Sequence, residues 1–341
     1  MKLKPLHRFY LKCLLLASPF LLLLGIYVAD DPFMVLRKYT DYDHSRVCLS
    51  EGATAWTKYK MLRNERHYDS FIMGNSCTRG FLCSDWKQHI QGSPFRFFSN
   101  AEGLGDICVK LEALAKEPNQ PVADLLIVAD LSTLENDKPR GGIMHIMPPD
   151  VTGKSWISYQ ATFLQGFLSP KFLLPYLKYL FTRKFEKSME GIIAEGPASH
   201  ERYTNDHVPF LEDSIRLQGE RFWQQRIDLQ RVAALQPTTA PRVIEAPQTE
   251  KLKEIADFCR QHHTRLRFVL IPNIEQERIH PHDVDQLKQV LGAQNVYDFS
   301  ADSLLSDYHN FYDWTHFRVA VGRTIMDRIY PPEDQPSAPR K

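Results

Sequence analysis

Charge of one sign is missing from this chain: 42 Lys and Arg against 41 Asp and Glu leave a formal net charge of +1. With no net field and no long Lys/Arg run, nothing gathers a polyanion, and nucleic-acid binding is excluded as an expectation. Metal-ligand spacings are missing too. The six cysteines are irregularly placed with no C-x-x-C, and His262-His263 and His280-Pro281-His282 match no metal site. No metal is expected. A Gly-rich phosphate loop and a dinucleotide fingerprint are absent, so no cofactor is expected either. Internal repeats are absent. Beyond the N-terminal region the thiols are Cys48, Cys77, Cys83, Cys108 and Cys259, an odd number. One disulfide is compatible with an oxidising compartment, leaving at least one thiol free or paired with another chain. Cys77, Cys83 and Cys108 sit among apolar neighbours and read as small buried hydrophobes.

Runs apolar and long enough to cross a membrane are also missing, with one exception. Lys2, Lys4, Arg8 and Lys12 precede an uncharged stretch over 13–29, rich in leucine, and Asp30 and Asp31 follow it. At about 1.5 Å per residue, this run gives roughly 25 Å of helix, near the lower limit for crossing a bilayer core. The basic flank predicts a cytoplasmic tail over 1–12, a single-pass anchor over 13–29 in the cytoplasmic membrane, and a remainder on the periplasmic or extracellular side. A cleaved signal peptide is the competing reading. Tyr27-Val28-Ala29 puts a bulky residue where a small-x-small cleavage site needs a small one, which favours the retained anchor.

With 341 residues, 43% of them hydrophobic, the chain can bury one large α/β domain or two modest ones. After a polar neck over 30–67, short apolar runs alternate with helical stretches. Strands are predicted over 68–73 (YDSFIM), 95–99, 124–129 (DLLIVA), 266–271 (LRFVLI) and 295–299. Helices are predicted over 78–90, 106–116, 252–262, 284–291 and 318–329. Buried strands alternating with helices predict a parallel sheet covered on both faces, a doubly wound three-layer α/β/α sandwich over 68–330. The middle breaks the alternation and reads as a helical insertion over 154–235. Its first part, over 154–183, is crowded with aromatic and aliphatic residues but interrupted by Pro170, Lys171, Pro175 and Lys178, so it is no second membrane span. It reads as a pair of core-packing helices, or alternatively as a cap or a patch resting on a membrane surface or acyl chain. A long amphipathic helix is predicted over 209–235. The Pro-rich stretch 331–341 reads as a disordered tail.

Ser76 follows the first strand in Gly74-Asn75-Ser76-Cys77-Thr78-Arg79. A strand end projects a hydroxyl into the crevice at the carboxyl edge of the sheet, and the helix after it aims unpaired N–H groups at a developing oxyanion. A serine there also fits a helix N-cap, so the position alone decides little. Near the other end, Asp313-Trp314-Thr315-His316 precedes the last helix. At this spacing a carboxylate reaches one imidazole nitrogen and leaves the other to take a proton from a hydroxyl. The hydroxyl needs such a base to become a nucleophile.

Gly-Asn-Ser after the first strand, with Asp-x-x-His near the C-terminus, resembles the SGNH (GDSL) hydrolase superfamily. The anchor and the segments YDSFIMGNSCTRGF and NFYDWTHFRVAVG resemble its branch of D-alanyl-lipoteichoic-acid transfer and alginate O-acetyltransferase-like proteins. The resemblance covers about 68–130 and 266–329; the centre is unmatched. It implies a flavodoxin-like parallel sheet, Ser76 as nucleophile, His316 as base and Asp313 as its orienting acid. It further implies an oxyanion hole from Ser76 and a glycine N–H, Gly103 ahead of Gly105. The family's G-x-N-D after the third strand is replaced by Val128-Ala129-Asp130-Leu131-Ser132, so the side-chain donor is missing or comes from Asn75 or Ser132. Arg79 is a candidate for holding a carboxylate or sugar hydroxyl, although an exposed helix arginine is the favoured reading of the position. The implied substrate is an O-acyl, acetyl-type ester of an envelope glycan or glycolipid. The implied partner is a multispanning membrane-bound O-acyltransferase. A non-catalytic envelope scaffold or glycan-binding protein keeping the fold, and a lipase or thioesterase, are the alternatives.

Overall fold

The computed structural model describes residues 5–97, 99–196, 200–207 and 211–331. The chain divides into two compact units: residues 1–49 with 154–198, and residues 50–153 with 199–341.

The larger unit is α/β. Its strands are β1 (Ser70–Gly74), β2 (Pro94–Arg96), β3 (Asp124–Ala129), β4 (Thr238–Thr239), β5 (Arg265–Leu270), β6 (Glu277–Arg278) and β7 (Val296–Asp298). Five of them form a parallel sheet in the order β2-β1-β3-β5-β7, while β4 and β6 pair as a small parallel ribbon. Counting only the large sheet, the order is 2-1-3-4-5, doubly wound about β1. The register aligns Gly74 with Val128, Ala129 with Leu270 and Leu270 with Asp298, so the carboxyl ends form one edge.

The period of two along each strand sorts the core into two layers. Phe71, Met73, Leu125 and Ile127 face one way and pack with Trp56, Ile107, Leu252 and Leu287. Those four come from the helices Glu51–Arg66, Leu104–Lys116, Ala246–His262 and Pro281–Leu291. Ile72, Leu126 and Val128 face the other way, against Trp86, Trp223 and the Val319–Ile329 helix through Val321 and Ile325. The unit is thus three layers deep. Its strands are buried on both faces, which is why they read as unbroken apolar runs.

Three expectations change. The latter part of the predicted neck is the sixteen-residue helix Glu51–Arg66, whose buried Trp56, Tyr59 and Leu62 belong to the core; flanking charges had hidden its apolar stripe. The predicted helix 78–90 is a 3-10 turn, Ser76–Gly80, then the short helix Cys83–Trp86. The long helix over 209–235 is three pieces, Leu211–Gln218, Glu220–Gln224 and Ile227–Ala233, broken where Gly219 takes φ +55° and again at Arg226. Residues 208–210 and the predicted tail from 332 on lie outside the described residues.

The smaller unit joins the N-terminal segment to the front of the expected insertion, so 154–235 is no single insertion. The helix Pro5–Asp30 is long and apolar enough to cross a membrane. The helices Trp156–Leu168 and Pro170–Thr182 follow one another at Ser169 and pack on its C-terminal end. Tyr27 meets Phe167 at 5.1 Å, and Phe33 meets Phe163 and Phe172 at 5.3 and 4.6 Å. The buried Asp31 carboxylate ties off the turn after the helix by accepting from the N–H groups of Val35, Leu36 and Arg37 and from Tyr39 Oη. Among the described residues the cysteines form no disulfide.

Candidate active site

The turn after β1 is set by Gly74. Its φ is +145°, and a Cβ there would stand 2.2 Å from the Val128 carbonyl oxygen, so only glycine lets β1 end this close to β3. Asn75 then caps the 3-10 turn: its Oδ1 accepts from the Cys77 N–H at 2.9 Å, and its Nδ2 donates to Asp130 Oδ2 at 2.8 Å and to Thr133 Oγ1 at 3.3 Å. The turn is thereby anchored to the carboxyl end of β3, and Ser76 begins it.

The loop after β7 returns to the same edge. Phe311 and Phe317 pair across it, the Tyr312 N–H donates to the His316 carbonyl, and the five residues between the two phenylalanines form a tight bend. Within the bend Asp313 Oδ1 accepts from the Thr315 and His316 N–H groups, both at 2.9 Å. Asp313 Oδ2 lies 2.8 Å from His316 Nδ1, and His316 Nε2 lies 2.8 Å from Ser76 Oγ. Ser76, His316 and Asp313, distant in sequence, are brought into one hydrogen-bonded line. With Nδ1–H donated to the carboxylate, the tautomer assigned by this network leaves Nε2 as acceptor for the serine proton. Burial alone would raise the Asp313 carboxyl; the hydrogen bond and charge of His316, with the two backbone N–H groups, hold it well below the usual carboxylate range. The neighbouring Cys77 is no rival nucleophile. Burial first, then the charges of Asp130 and Asp313, push its thiol well up, so it remains protonated.

The bend is held from outside by a residue the sequence did not single out. Glu212 accepts from Tyr312 Oη at 2.6 Å and from Arg318 Nε and Nη2 at 3.0 and 2.7 Å, gripping the chain on both sides of Asp313 and His316. Burial would raise the Glu212 carboxyl, but the Arg318 and Tyr312 hydrogen bonds and the Arg318 charge keep it below its ordinary value. Arg226 adds a hydrogen bond to the Tyr312 carbonyl at 2.7 Å. No motif marks Glu212, because its partners lie about a hundred residues away in sequence.

The oxyanion donors differ from the expectation. The Gly103 N–H donates to Asp106 Oδ2 and the Gly105 N–H to the Asn136 carbonyl, both at 3.1 Å, as the Leu104–Lys116 helix starts there and its first N–H groups are capped. Neither is free for an oxyanion. Glycine at these positions serves packing instead, since a Cβ would stand 2.4 Å from Asn136 Cβ or from the Asp137 carbonyl oxygen. The Asn75 amide is likewise committed to Asp130 and Thr133. What remains is the Ser76 N–H, first in its turn and with no acceptor among the described residues, and the half-buried Ser132 hydroxyl in the Leu131–Glu135 helix after β3.

Arg79 is not an exposed helix arginine. It is half-buried and stands three residues after Ser76 in a 3-10 turn, where positions i and i+3 eclipse, so the two share a face. A polar cluster surrounds it that sequence reading missed. His200 Nε2 lies 3.6 Å from Glu51 Oε2, and the His200 and His207 rings are 5.5 Å apart. Burial, then the charges of Arg79, Arg96 and His316, push the His207 imidazole down to about 3, so it is neutral near pH 7. The His262-His263 doublet ends its helix, and His280 Nδ1 accepts from the His282 N–H. Among the described residues, no group of His, Cys, Asp and Glu forms a metal centre. Set against protein-family models and against curated proteins, the chain matches none.

Proposed function

We propose that the chain is a membrane-anchored serine hydrolase or acyltransferase of the SGNH type, acting on O-acyl, acetyl-type esters of envelope glycans or glycolipids. The observation that carries the reading is the unbroken line from Asp313 through His316 to Ser76 at the carboxyl edge of a doubly wound sheet. In the reaction, His316 Nε2 takes the Ser76 proton as Oγ attacks the ester carbonyl carbon, and the oxyanion forms against the Ser76 N–H. His316 then gives that proton to the departing alkoxide, leaving an acyl ester on Ser76. Water or a sugar hydroxyl attacks this ester, His316 taking its proton and returning one to Oγ. Asp313 stays ionised throughout and stabilises the imidazolium. The glycan substrate, and a multispanning acyl-donating membrane protein as partner, follow from the resemblance of the two motif segments. The Pro5–Asp30 helix supplies the anchor, with its basic flank in the cytoplasm.

The commitment of Gly103, Gly105 and Asn75 elsewhere favours a second reading, a glycan-binding scaffold that keeps the fold without turnover, since one oxyanion donor is typically worth about 2.7–4 kcal/mol. Labelling of the purified protein by a fluorophosphonate separates the two. The enzyme reading expects labelling that Ser76→Ala abolishes, and loss of envelope O-acyl groups in cells carrying Ser76→Ala or His316→Ala. An unlabelled wild type, or a label that survives Ser76→Ala, overturns it.

A further inference from the structure

The uncharged run over 13–29 of the Pro5–Asp30 helix measures roughly 25 Å, against a hydrocarbon core of about 30 Å. A run this short spans only if all of it lies in hydrocarbon. Leu21, Leu22, Gly25 and Ile26 belong to that run, and they share an apolar groove with Leu177, Leu180 and Phe181 of the Pro170–Thr182 helix. Tyr176 Oη donates to Asp30 Oδ2 at 3.0 Å, which places the middle of that second helix at the end of the anchor, where tyrosines favour the membrane interface. Beyond Tyr176, Leu177, Leu180 and Phe181 line this groove together with anchor residues as far back as Leu21. Phe181 is 86% exposed and Leu174 65% exposed, an arrangement that is costly in water and favourable in lipid. Lys178 pairs with Glu186, which leaves Arg183, Lys184 and Lys187 in excess over Glu190 around the tip, with stems long enough to reach headgroup phosphates.

We propose that the C-terminal half of the Pro170–Thr182 helix is inserted in the leaflet on the Asp30 side, with lipid acyl chains filling the groove beside the anchor. The chain then holds the bilayer at two places, by a span and by a monotopic helix whose basic tip meets anionic headgroups. This inference rests on reading Pro5–Asp30 as a span and is independent of the chemistry at Ser76.

The test uses the full chain in nanodiscs of phosphatidylcholine and phosphatidylglycerol. Cys13→Ser and Cys48→Ser remove the two thiols that are not buried, and Phe181→Cys or Leu16→Cys then carries an environment-sensitive fluorophore. The inference expects both sites to be quenched by nitroxide on lipid tails and shielded from aqueous iodide. Quenching of the Leu16 site by lipid but of the Phe181 site by iodide overturns the insertion and leaves the anchor standing. Iodide quenching at both removes the anchor and the insertion together. Shielding of Phe181 without lipid quenching, with crosslinking to a second copy, overturns lipid as the occupant.

Discussion

At the scale of single residues, the candidate site depends on one proton having one place to go. His316 can accept it from Ser76 only while Asp313 is ionised and holds Nδ1–H. Asp313→Asn presents a donor or the wrong acceptor to Nδ1 and selects the other tautomer. The expected outcome is a kcat loss of up to about 10⁴-fold with folding intact, by analogy with the same exchange in a well-studied triad. The pH profile checks the same relation. Because the Asp313 carboxyl is depressed below its ordinary 3.8, its contribution to stability is present above that value and is lost only as pH falls towards the folded value. It therefore does not titrate where a histidine base does, and log kcat/KM should rise through the acid limb with a slope of one proton. A two-proton slope would place a second titrating group in the relay. Ser76, Asp313 and His316 were legible in the sequence because strand ends and a D-x-x-H spacing are local signals. The donors were not. Whether Gly103, Gly105 or Asn75 has a free hydrogen depends on Asp106, Asn136, Asp130 and Thr133, and no spacing rule announces those pairings.

At the scale of elements, the Asp313–His316 bend is a short loop with little core of its own, and its shape is imposed from the Leu211–Gln218 helix. One carboxylate, Glu212, satisfies Tyr312 and Arg318 together. In Glu212→Gln the charge-assisted pair with Arg318 becomes a neutral hydrogen bond, which costs on the order of 1–3 kcal/mol locally. The expected result is a kcat loss larger than any change in KM, with Tm lowered by only a few degrees. Unchanged kcat with a lowered Tm would make Glu212 a purely structural residue. The 3-10 turn carrying Ser76 is positioned by close backbone approaches, Gly74 to Val128 on one side and Gly322 to the Gly80 carbonyl on the other. That packing replaces the regular helix expected over 78–90.

At the scale of the whole molecule, the two units differ in what they expose. The sheet unit buries its strands on both faces and presents its carboxyl edge to solvent, with the Asp313 side chain 51% exposed and that of His316 23%. The other unit is built around an apolar helix and exposes large hydrophobic residues along it. A span and a surface-bound protein respond differently to alkaline carbonate, which strips peripheral proteins and leaves integral ones. The chain is expected to remain with the membranes after such a wash, and its appearance in the supernatant would remove the anchor.

Composition, the leucine-rich N-terminal run and the periodicity of short strands by themselves determined that this is an α/β chain with one membrane-length helix, and two local motifs marked its candidate site. These are properties of near neighbours, where a period of two or a spacing of three is enough. The tertiary structure alone decided that the region over 154–196 belongs with the N-terminal helix, that Glu51–Arg66 belongs to the sheet's core, and that Glu212 grips the histidine loop. Each of these turns on which distant surfaces bury one another, and burial is a property of the folded chain that no local pattern contains.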